Sequence, residues 1–356
     1  MRSTEERSVL VIRSSAMGDV ALTAPLLSSL VANNPDKKIF MLTRPRFSPL
    51  VDIPGVTIIN AFYDGRHKGL AGLIRLKNDI GRRARIDTVI DLHGVLRSRI
   101  IGALYRMSGV PVTVIDKGRK ERRALISGRS EAELMHITQR YAVTVARAGL
   151  KIDVDLPAFQ YNIPDSVSLF DGRRPAIGVA PFAAHKLKVW PERHLVSLLN
   201  RLVALYGPNI MLFGGGKSET ESMIRLEKMV PGVTACGAEK GLKEQISIMS
   251  ALDLMITMDS ANMHIAALAG IPVVSIWGAT DARAGYKPLN SNYRYIAEIS
   301  PDILSCRPCT IFGRGDCHRG DFACMEQLTP QMVLSMVEAT GLIKPKESPQ
   351  DTEVTD

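Results

Sequence analysis

The residues best suited to chemistry fall in five short clusters, each after an apolar run. The first is Ser14-Ser15-Ala16-Met17-Gly18-Asp19, behind Val9-Leu10-Val11-Ile12. That run reads as a buried strand. Leu22, Leu26, Leu27 and Leu30 recur at helical spacing, so a helix is expected over 19–33. In open α/β sheets the strand-to-helix edge is where ligands bind. A lone carboxylate there, Asp19, is a candidate general base. It can also serve simply as a helix cap.

The other four clusters lie in the second half. In Ala180-Pro181-Phe182-Ala183-Ala184-His185-Lys186-Leu187-Lys188-Val189-Trp190-Pro191, a strand ends in a loop with two lysines, and Pro191 opens a helix. Lysines at a strand end can neutralise a diphosphate. Phe213-Gly214-Gly215-Gly216-Lys217-Ser218-Glu219 brings glycines to a helix start, where backbone amides attract anions. It lacks the spacing of a Walker loop. In Met258-Asp259-Ser260-Ala261-Asn262-Met263-His264, Asp259 or Ser260 can cap a helix. Its free amides, with His264 one turn in, can hold a phosphate or ribose. Trp277-Gly278-Ala279-Thr280-Asp281 supplies another loop at the same edge. Trp190 and Trp277 themselves read as packing residues.

The elements that position these clusters alternate. Strands are expected at Val9–Ile12, Lys38–Leu42, Val56–Ile59, Thr88–Asp91 and Val112–Ile115, with helices over 19–33, 70–83, 95–107 and 131–148. The stretch from Leu156 to Pro175 carries three prolines and reads as a linker. The pattern then restarts, with strands at 176–180, 210–213, 233–235, 254–257 and 273–277, and helices over 191–206, 219–229, 242–249 and 262–269. A last amphipathic segment runs from Pro330 to Ala339. Such alternation predicts two mostly parallel, doubly wound α/β domains in 356 residues. The expected domains are 1–165 and 166–328. A closing helix follows at 329–343, then a disordered tail at 344–356, which has little to bury.

Composition narrows the class. Hydrophobic residues make up 46% and charged residues 23%, as in soluble globular proteins. No apolar run reaches transmembrane length, and residues 1–8 do not resemble a signal peptide, so a cytoplasmic chain is expected. Between Arg66 and Ser130 there are sixteen Lys/Arg against five Asp/Glu, more than the whole excess of +9. Such a basic first half suits an anionic partner, a membrane surface or phosphorylated glycolipid. Nucleic acid is disfavoured, because aromatics are only 5% and no recognition motif is present. A nicotinamide-dependent dehydrogenase would need Gly-x-Gly-x-x-Gly after a strand, and the Ser14–Asp19 loop has a single glycine.

The order Ser-Ser-x-Met-Gly-Asp, Lys-x-Trp-Pro, Gly-Gly-x-x-x-Glu, Asp-Ser-x-x-x-His and Trp-Gly-x-Thr-Asp resembles the ADP-heptose:lipopolysaccharide heptosyltransferases (glycosyltransferase family nine). The resemblance runs from about Val9 to about Ala339. It implies a GT-B fold, two Rossmann-like domains facing across a cleft, with a final helix packing back toward the N-terminal domain. It also implies inverting, metal-independent transfer of a heptose from ADP-heptose to a lipopolysaccharide inner-core or similar acceptor, with no cofactor. Asp19 would be the base. Lys188 and Lys186, with Ala183, Ala184, Gly215, Gly216 and Glu219, would bind the donor, and Asp259, Ser260, Ala261 and His264 would line its phosphate and sugar pocket. Ser15, Met17, Gly18, Asp91, His93, Arg97 and Ser98 would meet the acceptor, a phosphorylated lipid-linked glycan at the inner membrane face. The chain departs from the family at Ala183 and Ala184, where relatives often carry hydroxyls. Either Lys217 or Glu219 aligns with the glutamate that reads the nucleoside. The alternative is a GT-B transferase or epimerase using another nucleotide sugar, such as a UDP-sugar; a glycan-binding protein without turnover is a further class.

Four of the five cysteines, Cys306, Cys309, Cys317 and Cys324, fall within 19 residues, beside His318. Seven and six residues separate the later cysteines, unlike a zinc ribbon. Reduced or paired thiols and a structural zinc both stay open, and a catalytic metal is not expected.

Overall fold

The computed structural model describes residues 7–163, 174–237, 239–289 and 295–346. The chain divides into two compact units: Met1–Arg123 with Ala132–Gln160, and Ala124–Glu131 with Tyr161–Asp356. The expected boundary at 165/166, and residues 347–356 of the expected tail, lie outside the described residues.

The first unit carries β1 (Arg7–Ile12), β2 (Lys37–Thr43), β3 (Val56–Asn60), β4 (Thr88–Asp91) and β5 (Val112–Val114). They form one parallel sheet in the order β3-β2-β1-β4-β5. Helices α1 (Met17–Ala21), α2 (Ala24–Asn33), α3 (Gly69–Gly81), α4 (Leu96–Arg106) and α6 (Ile137–Arg147) connect and cover it, and α5 (Arg119–Ile126) begins in this unit and ends in the second. Val9, Leu10, Val11 and Ile12 are all buried, as a central parallel strand covered on both faces requires. Leu10 and Ile12 pack with Leu73, Leu76 and Ile80 of α3 and Ile101 and Tyr105 of α4.

Where a single helix was expected over 19–33, there are two. Pro25 has no N–H to continue the ladder, and the chain breaks at Leu22–Thr23. The Thr23 hydroxyl donates to the Val20 carbonyl at 2.6 Å across the break. Helix α5 was not expected, because its sequence, RKERRALI, has no apolar stripe; Arg122 and Leu125 nevertheless turn inward. The expected start of α6 at 131 moves to Ile137, where the His136 ring accepts from Thr138 N.

The second unit carries β6 (Ile177–Ala180), β7 (Ile210–Phe213), β8 (Val233–Cys236), β9 (Leu254–Met258), β10 (Val273–Trp277) and β11 (Ile296–Glu298). These too are all parallel, in the order β11-β10-β9-β6-β7-β8. Its helices are α7 (Glu192–Tyr206), α8 (Lys217–Met229), α9 (Leu242–Ser250), α10 (Ala261–Leu268), α11 (Ala323–Glu326) and α12 (Pro330–Ala339). Helix α12 sets Val333, Leu334 and Val337 into the core of this unit. Its first turn is capped by the Thr329 hydroxyl, which accepts from Met332 N at 3.3 Å.

Both sheets are doubly wound, and each has one point where successive connections leave in opposite directions. In the first unit it lies between β1 and β4, in the second between β6 and β9. Loops leaving adjacent strands there diverge and open a crevice at the carboxyl ends.

Both tryptophans are packing residues. Trp277 Nε1 donates to Ser275 Oγ at 2.9 Å. Trp190 stacks on His194 and donates to the Leu328 carbonyl at 2.9 Å. Trp190→Phe keeps the ring but strands that buried carbonyl, and should lower unfolding free energy by about 1–3 kcal/mol in urea denaturation. Trp190→Ala should cost more, about 3–5 kcal/mol.

Candidate active site

At the crevice of the first unit, the loop after β1 meets the loop after β4. Helix α1 begins at Met17 with Ala16 as its N-cap, so Asp19 stands at the third helical position and is not the cap. Its Oδ2 accepts weakly from Ala16 N at 3.4 Å and pairs with the Arg13 guanidinium at 2.5 Å. Arg13 is held in turn by donating to the Leu92 carbonyl at 2.6 Å. The other carboxylate oxygen, Asp19 Oδ1, is buried and accepts no hydrogen bond. One oxygen is thus fixed by a cation, and the second is left unbonded. Gly18 is buried beside it, while Ser15 and Met17 are half-buried.

Asp91 is fully buried, and both its oxygens serve its own loop. Oδ1 accepts from His93 N at 2.9 Å and Gly94 N at 2.8 Å, and Oδ2 accepts from the Ser98 hydroxyl at 2.8 Å. Ser98 Oγ also accepts from Val95 N at the start of α4. Of the residues expected to meet an acceptor, Asp91 and Ser98 therefore build the loop, and His93 faces the Ser-Ser pair. The His93 ring lies 3.1 Å from Ser14 Oγ through Nδ1 and 3.1 Å from Ser15 Oγ through Nε2. Burial, reinforced by Arg13 and Lys117, pushes its pKa from 6.5 to about 3. The ring stays neutral at physiological pH, with one nitrogen donating and one accepting.

Arg97 is exposed, with its guanidinium 4.3 Å from the centroid of the Tyr63 ring. Arg44 approaches the same ring at 5.6 Å. Lys117 lies against Gly94, and burial, with Arg13 nearby, lowers its pKa. Arg13 and Lys117 are the functional-looking groups that motif reading passed over. The signal for Arg13 is a cation directly behind an apolar strand; Lys117 has none in sequence.

At the crevice of the second unit, the loop after β6 forms a short 3-10 turn over Lys186–Lys188. Lys188 Nζ pairs with Asp259 Oδ2 at 2.6 Å, and both side chains are largely buried. The Thr280 hydroxyl donates to the same oxygen at 2.8 Å. Thr280 is steadied through its carbonyl by the buried Arg307, which also donates to the Gly278 carbonyl. Lys186 is exposed and pairs with Asp316. Ala183 is half-buried and Ala184 exposed. Ser260 is the N-cap residue of α10 without a side-chain cap bond, and its hydroxyl lies 3.3 Å from Thr257 Oγ1. Ala261 opens the helix, and His264 is buried within it. Lys188 thus sits beside the amides of a helix start, a positive and polar surface fit for a diphosphate.

The glycine loop ends β7 one strand away. Gly216 precedes α8 with φ of +87°, a conformation other residues rarely adopt. Glu219 turns back to accept from Gly215 N at 2.7 Å. Among the described residues no group of three or more His, Cys, Asp or Glu side chains is set to ligate a metal ion.

The neutral His93 fixes a sign for pH dependence. The unfolded chain takes up a proton near pH 6.5 that the folded chain refuses until about pH 3. The stability from neutral His93 is whole above pH 6.5 and drains away on acidification toward pH 3. In His93→Gln that loss is absent, so its thermal midpoint should fall less than that of the parent between about pH 6.5 and pH 4. Parallel melting curves would refute the buried neutral ring.

Comparison with known proteins gives the family and the fold. The sequence profile of glycosyltransferase family 9 (heptosyltransferase) matches residues 74–309. The lipooligosaccharide heptosyltransferase 2 of Haemophilus influenzae is 28% identical over 168 residues, 46% of this chain and 46% of the relative, so the match spans about half the length of that protein. Among solved structures, a family 9 glycosyltransferase from Veillonella parvula superposes with a TM-score of 0.71 at 18% identity, covering 94% of this chain and 97% of that one. The E. coli heptosyltransferase WaaC with ADP gives a TM-score of 0.65 at 19% identity, over 93% and 99%. The fold is that of these GT-B glycosyltransferases, and the chain belongs to glycosyltransferase family 9, the heptosyltransferase family.

Proposed function

We propose that this chain transfers a heptose from ADP-heptose to a phosphorylated inner-core glycan of lipopolysaccharide type, with inversion at the anomeric carbon and without a catalytic metal. The observation that carries the reading is Asp19, with one oxygen on Arg13 and the other buried and unbonded. A sugar hydroxyl becomes an effective nucleophile as a carboxylate takes its proton in the transition state. A single base and a single displacement yield inversion. Arg13 holds Asp19 in one orientation, and the neutral His93 orients Ser14 and Ser15 beside it.

Negative charge grows on the departing diphosphate. Lys188 has ammonium hydrogens left beyond its bond to Asp259, and with the first amides of α10 it can meet that charge. These fixed positive groups supply the stabilisation a divalent ion would otherwise provide. ADP as the nucleotide is supported by the E. coli relative solved with ADP. The basic span Arg66–Ser130 suits an anionic, membrane-bound acceptor approached from the cytoplasmic side. No helix among the described residues is long and apolar enough to cross a membrane.

Asp19→Asn preserves size and hydrogen bonding to Arg13 but removes the base. It should lower kcat by about 10²–10⁴-fold with ADP affinity unchanged. Wild-type turnover in that variant would exclude Asp19. Lys188→Ala removes a charge-assisted bond of about 1.5–3 kcal/mol, so calorimetry should find the ADP dissociation constant raised roughly 10- to 150-fold. A thermal-shift series with ADP, UDP, GDP and CDP tests the nucleotide: stabilisation by UDP in place of ADP would redirect the donor to a UDP-sugar.

A further inference from the structure

The crevice of the first unit holds a chain of hydrogen bonds whose buried end has no part in the proposed transfer. Tyr63 follows β3 and is buried, and its hydroxyl is hydrogen-bonded to the side chain of Ser14. Ser14 Oγ lies 3.1 Å from His93 Nδ1, and His93 Nε2 lies 3.1 Å from Ser15 Oγ. Side chains from the ends of β3, β1 and β4 thus form one line. Ser14 and His93 are buried, and Ser15, at the far end, is half-buried. Each of these groups has a single hydrogen to give, so the direction of the first bond sets the direction of the rest.

The buried end decides that direction. A phenol is a stronger acid than an aliphatic hydroxyl, so in a Tyr–Ser pair the phenol donates. Burial raises the Tyr63 pKa, so the proton stays on its oxygen. Arg97 and Arg44 lie 4.3 Å and 5.6 Å from the ring centroid, and cations against a ring draw electron density from its hydroxyl. Ser14, having accepted from Tyr63, gives its one hydrogen to His93 Nδ1. The ring proton is then on Nε2, which donates to Ser15 Oγ. The Ser15 hydrogen is left over, and among the described residues His93 is the one side chain within reach of it. Ala16 N, next in the chain, donates to Asp19 Oδ2 at 3.4 Å, so that hydrogen is presented close to the proposed base.

We propose that Tyr63 is a positioning residue that locks His93 in its Nε2–H tautomer, so that Ser15 offers a hydrogen to an anionic oxygen of the acceptor glycan. The tautomer stands on the hydrogen bonds alone; the role of Ser15 rests on the proposed acceptor side of this crevice. A chain running the other way would put the proton on Nδ1 and turn a Ser15 lone pair outward, which a carboxylate or phosphate oxygen avoids. The exposed Arg97, held over Tyr63, supplies a charge of the sign that such an oxygen needs. No proton passes along the chain; each hydrogen stays on its atom. The Ser15 contact is made to a part of the acceptor that does not react, so it is equally strong in the ground and transition states. Its loss therefore appears in KM and not in kcat.

The test uses the full chain with isotope-labelled histidine nitrogens, read by nuclear magnetic resonance, the His93 signals being those lost in His93→Gln. At neutral pH the parent should show His93 with Nε2 protonated and Nδ1 bare. Tyr63→Phe keeps the ring beside Arg97 and Arg44 and removes only the hydroxyl, so it should give a mixture of tautomers. Ser14→Ala cuts the chain one link further on and should do the same. A parent protonated at Nδ1, or both variants keeping the pure Nε2–H form, would overturn the lock. In kinetics, Tyr63→Phe and Ser15→Ala should each raise the acceptor KM about 3- to 10-fold, with kcat and the KM for the nucleotide sugar unchanged. An unchanged acceptor KM in Ser15→Ala, or a loss confined to kcat, would overturn the contact with the acceptor. A parent with Nε2-protonated His93 that transfers heptose to no acceptor counts against the proposed transfer and leaves the tautomer standing.

Discussion

The buried pair of Lys188 and Asp259 is the contact around which the second unit is organised. A lysine left alone in a poorly solvated loop would carry a desolvation penalty, and so would the carboxylate. Pairing them offsets both, and it fixes the ammonium at the point where β6 and β9 diverge. The pair needs its own supports. Thr280 holds the carboxylate, Arg307 holds the Thr280 carbonyl, and Gly313 leaves room for the lysine stem. Four separate loops, at 186–188, 259–260, 278–281 and 306–313, thereby meet at one charge.

The first unit solves the same problem differently. Two aspartates stand at adjacent strand ends, and their environments separate their roles. Asp91 is saturated by two backbone amides and a hydroxyl, which makes it a scaffold for the His93 loop. Asp19 is bound on one side only, by Arg13, and keeps an oxygen unbonded. A carboxylate without its full set of donors is costly in a folding sense, and such a cost is a feature of sites that act on ligands.

Much of this was legible in sequence. Thr88–Asp91, Ile210–Phe213 and Val273–Trp277 appear where expected because buried parallel strands leave near-continuous apolar runs, and helix α12 at Pro330–Ala339 follows from its amphipathic spacing. The loops at the carboxyl ends follow from that alternation. What escaped was whatever lacks a periodic or compositional signal. Helix α5 is polar almost all round, β11 is three residues long, and the split between α1 and α2 turns on one missing N–H at Pro25. Arg13, Lys117 and Arg307 escaped for another reason: their partners lie far along the chain, and a guanidinium in sequence does not announce which carbonyl it will reach. Asp91 shows the converse. Its motif led to the expectation of an acceptor-facing carboxylate, and the hydrogen bonds show that the carboxylate serves its own loop.

The contact between Gly313 and the Lys188 stem reaches into the mutational landscape of the chain. The two positions are 125 residues apart in the chain. Any side chain there must displace the lysine or the loop. A deep mutational scan of this protein would therefore show a site of near-total intolerance in a segment that looks, by composition, like a surface loop. Its defects would be corrected, if at all, by changes at 188 and its neighbours and not by general stabilisation.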